Sequence, residues 1–319
     1  MEKKNDKKIK ILDQQIMKSN DNKYLKKLNF KIIKIINSHK DWINSISLFP
    51  SGNIISVSYD KSIKIYDNNF NIIQHIQNIY KYGIIYVDVK DENNFITCSS
   101  DNSIKTWIKI NNQFILNYNI NNAHDDPVYN VKYYSNDKII SCSQDGTVKI
   151  WEEKDKNYQL ITTLKHLGSV LAILLLKDKN ILISSGINGT KLWNLNNFEL
   201  IKYFNTAQCN GWNTLDKIDE NRIIVGGYKL LIILSLKRII KEIKIPFGCL
   251  GIRIIKNKGI FLIGGNSNDI MIFKNEDYEC IQTIKDAHND IINGFFEMNN
   301  DLIGSYSFDG IIKIWSFEI

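Results

Sequence analysis

Apolar residues in this chain come in short runs in which Ile, Val, Leu, Tyr and Trp alternate with polar ones, and the runs end at clusters of Asn, Asp, Gly or Ser. Period-two alternation broken by turn residues predicts β-strands rather than helices. One cassette recurs: an apolar stretch, a small polar residue, a turn acid, and an aromatic residue six positions further on. It reads SVSYDKSIKIY, TCSSDNSIKTW, SCSQDGTVKIW, SSGINGTKLW and SYSFDGIIKIW. The turn residues are Asp60, Asp101, Asp145, Asn188 and Asp309, with gaps of 41, 44, 43 and 121. The last gap spans three periods and holds two weaker copies, RIIVGGYKLLIIL and IFLIGGNSNDIMIF, which bring the count to seven.

Each cassette predicts two strands joined by a tight turn. The rest of a period has room for two more, as VYNVKYY before and YQLITTL after the third cassette illustrate. Four short strands in about 40 residues is the spacing of a propeller blade, so the expected fold is all-β, a seven-bladed β-propeller.

Over residues 29–319 the cassettes resemble the WD-repeat (G-protein beta-subunit-like repeat) family. That resemblance implies a hydrogen-bonded tetrad in each blade: a His in the loop leading into the blade, a Ser or Thr on its second strand, an Asp in the turn and a Trp on its third strand. His124, Ser141, Asp145 and Trp151 match throughout, as do His288, Ser305, Asp309 and Trp315. The first unit offers His39, Ser56 and Asp60, with Tyr66 for Trp. The second offers Thr97, Asp101 and Trp107, with Tyr80 where His is expected. The fourth has His166, Ser184 and Trp193 around a turn one residue shorter at Asn188. The two weak units lack the His and the acid in register and show Gly226 and Gly264 where Ser is expected. The chemistry is that of a buried staple. Blade interiors are covered on both faces, so a neutral imidazole can join the carboxylate to the hydroxyl, and the hydroxyl can accept from the indole N–H.

The chain stops four residues after Trp315, one strand short of a full blade. NFKIIKIINSH, from Asn29 to His39, resembles the fourth strand of the first unit, NFNIIQHIQN. It is expected to pair with the C-terminal strand and complete the last blade, leaving residues 1–28 outside as a basic tail.

Charge sharpens this picture. The net charge is +7, and residues 1–28 carry nine Lys against four acids, so the remaining body is close to neutral. A nearly neutral body with three Arg is a poor match for a run of phosphates, which argues against nucleic acid as a partner. The tail could touch an acidic partner or an anionic membrane surface, although solvation is the plainer expectation. No apolar run approaches the ~18 residues of a membrane helix. The chain reads as soluble and cytoplasmic, with the nucleus open as a second location. Cys98, Cys142, Cys209, Cys249 and Cys280 include no CxxC pair, and Cys98 and Cys142 share one repeat position, which packing explains.

The His and Asp residues recur in register, which a structural tetrad accounts for, and no P-loop, HExxH or nucleophile elbow occurs. The expectation is therefore no enzyme, no metal, no cofactor and no small-molecule substrate. The family resemblance implies a protein–protein interaction scaffold or adaptor that binds proteins or peptides on a propeller face. The residues beside the tetrad His and Asp would form that face: Trp42, Tyr59, Ser100, Tyr129, Gln144 and Phe308, with Trp212 and Tyr228 from the fifth unit. The alternatives are a substrate-receptor subunit of a ubiquitin ligase and a subunit of an RNA-processing particle. The first alternative is weakened because the WDxR positions read WEEK, WNLN and WIKI.

Overall fold

The computed structural model describes residues 28–206, 209, 211–298 and 302–318. These residues are strands joined by turns, interrupted by two short 3-10 segments at Lys177–Lys179 and Lys256–Lys258. After β1 (Asn29–Asn37), four-stranded antiparallel meanders follow one another. The first is β2 (Ile43–Leu48), β3 (Ile54–Ser58), β4 (Ser62–Tyr66) and β5 (Ile72–Gln77). The second is β6 (Ile84–Asp91), β7 (Asn94–Ser99), β8 (Ile104–Ile110) and β9 (Gln113–Ile120). The third is β10 (Val128–Tyr133), β11 (Lys138–Ser143), β12 (Thr147–Lys154) and β13 (Asn157–Lys165). The fourth is β14 (Val170–Leu176), β15 (Ile181–Gly186), β16 (Gly189–Asn194) and β17 (Leu200–Phe204).

A six-stranded sheet comes next: β18 (Leu215–Lys217), β19 (Ile223–Leu234), β20 (Ile239–Ile255), β21 (Ile260–Gly265), β22 (Ser267–Lys274) and β23 (Cys280–Ile284). The last sheet contains β24 (Ile292–Glu297), β25 (Leu302–Ser307) and β26 (Ile311–Glu318), with β1 added antiparallel to β26 from Asn29↔Glu318 to Asn37↔Ile311.

The strand patterns explain why these sheets stack. A central strand such as β3 is buried at every position, whereas an outer strand such as β5 alternates between exposed and half-buried. Sheets covered on both faces must pack against two neighbours. Phe95 and Trp107 of the second sheet pack with Ile55 and Val57 of the first. Apolar clusters of this kind link each sheet to the next, and one joins Phe296, Tyr306 and Ile314 of the last sheet to Ile43, Ile54 and Tyr66 of the first. The fold is an all-β propeller.

The count of sheets differs from the sequence reading: there are six, not seven. The two weak units share one sheet because β20 runs unbroken between them. Its first part, Ile239–Gly248, pairs with β19, and Cys249–Ile255 pairs with β21. The other links carry a polar loop between outer and inner strands, whereas here the turn-forming residues near the junction are only Pro246 and Gly248, within the strand itself. Ile224, Leu231 and Ile233 of β19 nevertheless pack on Phe261, Ile263 and Phe273, so the sheet folds over and its two parts lie face to face.

A one-residue bulge recurs on the outer strands at Ile33, Ile73, Asn117, Ile161, Ile201, Ile240 and Ile281. Each immediately follows the partner of Trp315, Tyr66, Trp107, Trp151, Trp193, Leu234 or Phe273. This register corrects the sequence alignment of the weak units. Ser184 lies nine residues before Trp193 and Ser141 ten before Trp151, so the hydroxyl positions are Val225, before Leu234, and Ile263, before Phe273. Gly226 and Gly264 fall one position later. Their lack of a side chain makes room for Cys249 and for Ile292, each of which a Cβ there would approach to under 3 Å.

Residues 1–27 of the expected basic tail lie outside the described residues. Leu28 was expected in that tail but is buried in a cluster with Trp315 and Phe317.

Candidate interaction face

In the third sheet, His124 Nδ1 lies 2.8 Å from Asp145 Oδ2 and Nε2 lies 2.7 Å from Ser141 Oγ, while Trp151 Nε1 donates to the same oxygen at 2.9 Å. The last sheet repeats this with His288–Asp309 at 3.1 Å, His288–Ser305 at 2.7 Å and Trp315–Ser305 at 2.8 Å. Burial pushes both imidazole pKa values down, against the pull of the carboxylates. The rings are therefore neutral, with Nδ1–H donating to Asp and Nε2 accepting from Ser. Burial alone would raise the Asp145 carboxyl; the His124 ring, the Thr147 hydroxyl and the Asp125 amide outweigh it and hold it below the usual carboxylate range.

The variant units solve the same problem differently. In the first, His39 joins Asp60 at 3.1 Å and Ser56 at 2.7 Å, but the Tyr66 hydroxyl pairs with Ser38 Oγ at 2.6 Å rather than taking over the indole's bond. In the second, Tyr80 does replace His toward Thr97, at 2.6 Å, and Trp107 donates to Thr97 at 2.8 Å. Asp101 there accepts from Ser103 Oγ and the Lys81 amide, and the Lys105 ammonium sits 4.1 Å over the Tyr80 ring. In the fourth, His166 and Trp193 both meet Ser184, at 2.7 and 2.8 Å, with no acid partner for the imidazole; Asn188 is exposed. In the weak units Val225, Leu234, Ile263 and Phe273 replace hydroxyl and indole together, so no donor is stranded.

The family model "WD domain, G-beta repeat" matches residues 30–67 and 117–152. Each match starts on an outer strand and ends with the third strand of the next sheet, and each contains a His, Ser and Asp that hydrogen-bond as above. The chain is a WD-repeat β-propeller. No curated protein matches this WD-repeat chain significantly.

In the WD-repeat frame, the loop leading into a sheet and the turn after its second strand emerge at the same end, because the first two strands are antiparallel. A repeated backbone bond ties them. Tyr59, Ser100, Gln144 and Phe308 donate their amides to the carbonyls of Trp42, Gly83, Pro127 and Ile291, and Ile187 and Asn266 do the same to Ser169 and Gly248. These bonds hold Tyr59, Ser100, Gln144 and Phe308 beside the loops that lead into their own sheets.

They form two aromatic groups. Trp42 stacks on Phe308 with centroids 4.3 Å apart and lies 5.4 Å from Tyr59. Tyr129 stacks on Trp212 at 6.0 Å and donates its hydroxyl to Gln144 Oε1 at 2.6 Å. Trp42, Tyr59 and Tyr228 are exposed, whereas Phe308, Tyr129 and Trp212 are half-buried, and Ser100 adds a half-buried polar position. The sequence reading passed over Tyr82, Leu167 and Ile187, exposed apolar residues on the same loops and turns; Leu167 is 90% exposed. Their signal was available, since each follows a tetrad position by one to three residues.

Among the described residues no group of three or more His, Cys, Asp or Glu could hold a metal ion. Burial raises the thiol pKa values of Cys98, Cys142 and Cys249, while Cys280 is exposed.

Proposed function

We propose that this WD-repeat propeller is a non-enzymatic interaction scaffold that captures a protein or peptide on the face bearing Trp42, Tyr59 and Phe308. The observation carrying this reading is the set of exposed apolar side chains gathered on that one face: Trp42, Tyr59, Tyr82, Leu167, Ile187 and Tyr228. Trp42 of this set packs on Tyr59 and Phe308 as one aromatic group, and aromatic anchors dominate binding energy. WD-repeat propellers typically mediate protein–protein interaction, which supports the same role. We infer further that the β1–β26 pairing closes the ring and makes the face a rigid platform, because β1 covers the edge that β26 would otherwise expose and gives the last sheet its outer strand. The test is affinity capture from native cells with the intact chain and with a Trp42→Ala, Tyr59→Ala variant of unchanged circular dichroism. The scaffold reading expects the variant to lose its principal bound protein.

A further inference from the structure

The propeller axis holds a chamber of about 150 Å³ lined from every side, among others by Ile46 of β2, Tyr86 of β6, Lys132 of β10, Arg253 of β20 and Phe295 of β24. On the aromatic face Trp212 covers it. The indole Nε1–H donates across the axis to the Asn44 carbonyl at 3.0 Å, and the Trp212 carbonyl accepts from Asn130 Nδ2 at 3.0 Å. On the opposite side a cavity of about 580 Å³ shares Lys132 and Leu174 with the chamber. Ser135, Asn136 and Lys177 border it. They lie in the turns that follow β10 and β14, so this cavity opens on the face away from the aromatic residues.

The groups inside are cationic and incompletely matched. Arg253 Nε is buried with no hydrogen-bond partner, and no carboxylate among the described residues comes within ion-pair distance of its guanidinium. Asp216 lines the same chamber, but its two oxygens accept the Lys217 and Ile254 amides at 2.7 and 2.9 Å. The Lys132 ammonium donates to the Tyr86 hydroxyl at 2.8 Å and stands 3.8 Å from Asp88. Burial alone would lower its pKa; the Tyr86 and Asp88 oxygens outweigh that and keep it charged. Lys90 and Lys177 line the outer cavity. A buried guanidinium donor without an acceptor is costly, and an oxyanion is the partner that satisfies it best. Asn130 Oδ1, also buried and unpaired, faces the opposite need: it requires a donor. A singly protonated phosphate offers both, as inorganic hydrogen phosphate does at neutral pH and a phosphomonoester does as its monoanion, whereas a carboxylate has no O–H at neutral pH.

We propose that the axial chamber binds the phosphate group of a small molecule that enters from the face opposite the aromatic surface, with Arg253 and Lys132 holding the anion. The outer cavity, of a volume usual for small-molecule sites, takes the remainder of the molecule. This site is independent of the protein-binding reading.

The test is calorimetric titration of the intact chain at low ionic strength with inorganic phosphate, glycerol 3-phosphate and malonate. Saturable binding of both phosphates, tighter for glycerol 3-phosphate, is expected, with malonate weaker. Arg253→Gln should lose about tenfold or more in affinity for both phosphates. Lys177→Glu, an exposed change that leaves the core intact, should weaken glycerol 3-phosphate severalfold. It decides the matter if Arg253→Gln does not fold. No saturable phosphate binding up to about 10 mM, malonate binding more tightly than phosphate, or unchanged affinity in the folded variants would each overturn the proposal.

Discussion

The indole of Trp42 lies flat on the ring of Phe308, with centroids 4.3 Å apart and planes 9° from parallel. The pair joins the loop leading into the first sheet to the turn of the last, so the two ends of the repeat array meet in one aromatic surface. Offset stacking of this kind adds about 0.5–1.5 kcal/mol beyond the area it buries. Phe308→Ala should accordingly lower stability slightly and free Trp42 to move. Trp42 fluorescence should then shift to longer wavelength; an unchanged spectrum would show that the stack does not order the indole.

The tetrads predict an asymmetry between two turn acids. Asp145→Ala removes the carboxylate to which the buried His124 Nδ1–H donates and leaves it only the Thr147 hydroxyl, 3.1 Å away, at a cost of about 1–3 kcal/mol. Asp269 lies in a weak unit and pairs with Lys285, whose side chain is 73% exposed, so Asp269→Ala should cost under about 1 kcal/mol. Thermal melting of the two variants checks this. A larger loss for Asp269→Ala would mean that the tetrads do not carry the stability assigned to them.

His166 gives the fold a pH dependence. Its imidazole is half-buried with no acid to support a charge, and this partial burial lowers its pKa to about 4, below the 6.5 of an unfolded chain. The unfolded state therefore takes up the proton first, and the stability present above about pH 6.5 is lost as pH falls toward 4. A shift of this size corresponds to about 3 kcal/mol. His39, His124 and His288 are shifted in the same direction. His166→Gln should melt with a shallower pH dependence between 6.5 and 4 than the parent; identical slopes would contradict the assignment.

Pairing of β1 with β26 predicts a difference between two truncations. A chain starting at residue 28 keeps β1, whereas one starting at residue 38 exposes the edge of β26 and the cluster around Trp315 and Phe317. The shorter chain should melt clearly lower and aggregate more readily. Equal melting temperatures would show that β1 does not close the ring.

Much of this architecture is legible in the sequence because each tetrad puts four polar residue types at fixed offsets around one turn. His124, Ser141, Asp145 and Trp151 could be placed from the family resemblance that their spacing carries. The weak units could not, because Val225, Leu234, Ile263 and Phe273 keep the packing and discard the polar marks. Without those marks Gly226 and Gly264 stood in for the hydroxyl position by default. The merging of two units through β20 was hidden for a related reason: only Pro246–Gly248 marks the junction. Substitution at one tetrad position also hid where hydrogen bonds go, since Tyr66 turns to Ser38 while Tyr80 does reach Thr97. The axial chamber left no motif at all. Tyr86, Lys132 and Arg253 come from different repeats and meet only when the sheets are arranged around the axis.

The central claim is that partners dock on the aromatic face. The decisive measurement is quantitative affinity capture from native cells with three folded chains: the parent, the Trp42→Ala, Tyr59→Ala variant, and a control carrying Leu116→Ser on the outer strand β9. The account predicts that the face variant loses at least about tenfold of the principal bound protein while the control retains it. Full retention by the face variant, with loss in the outer-strand control, would contradict the account.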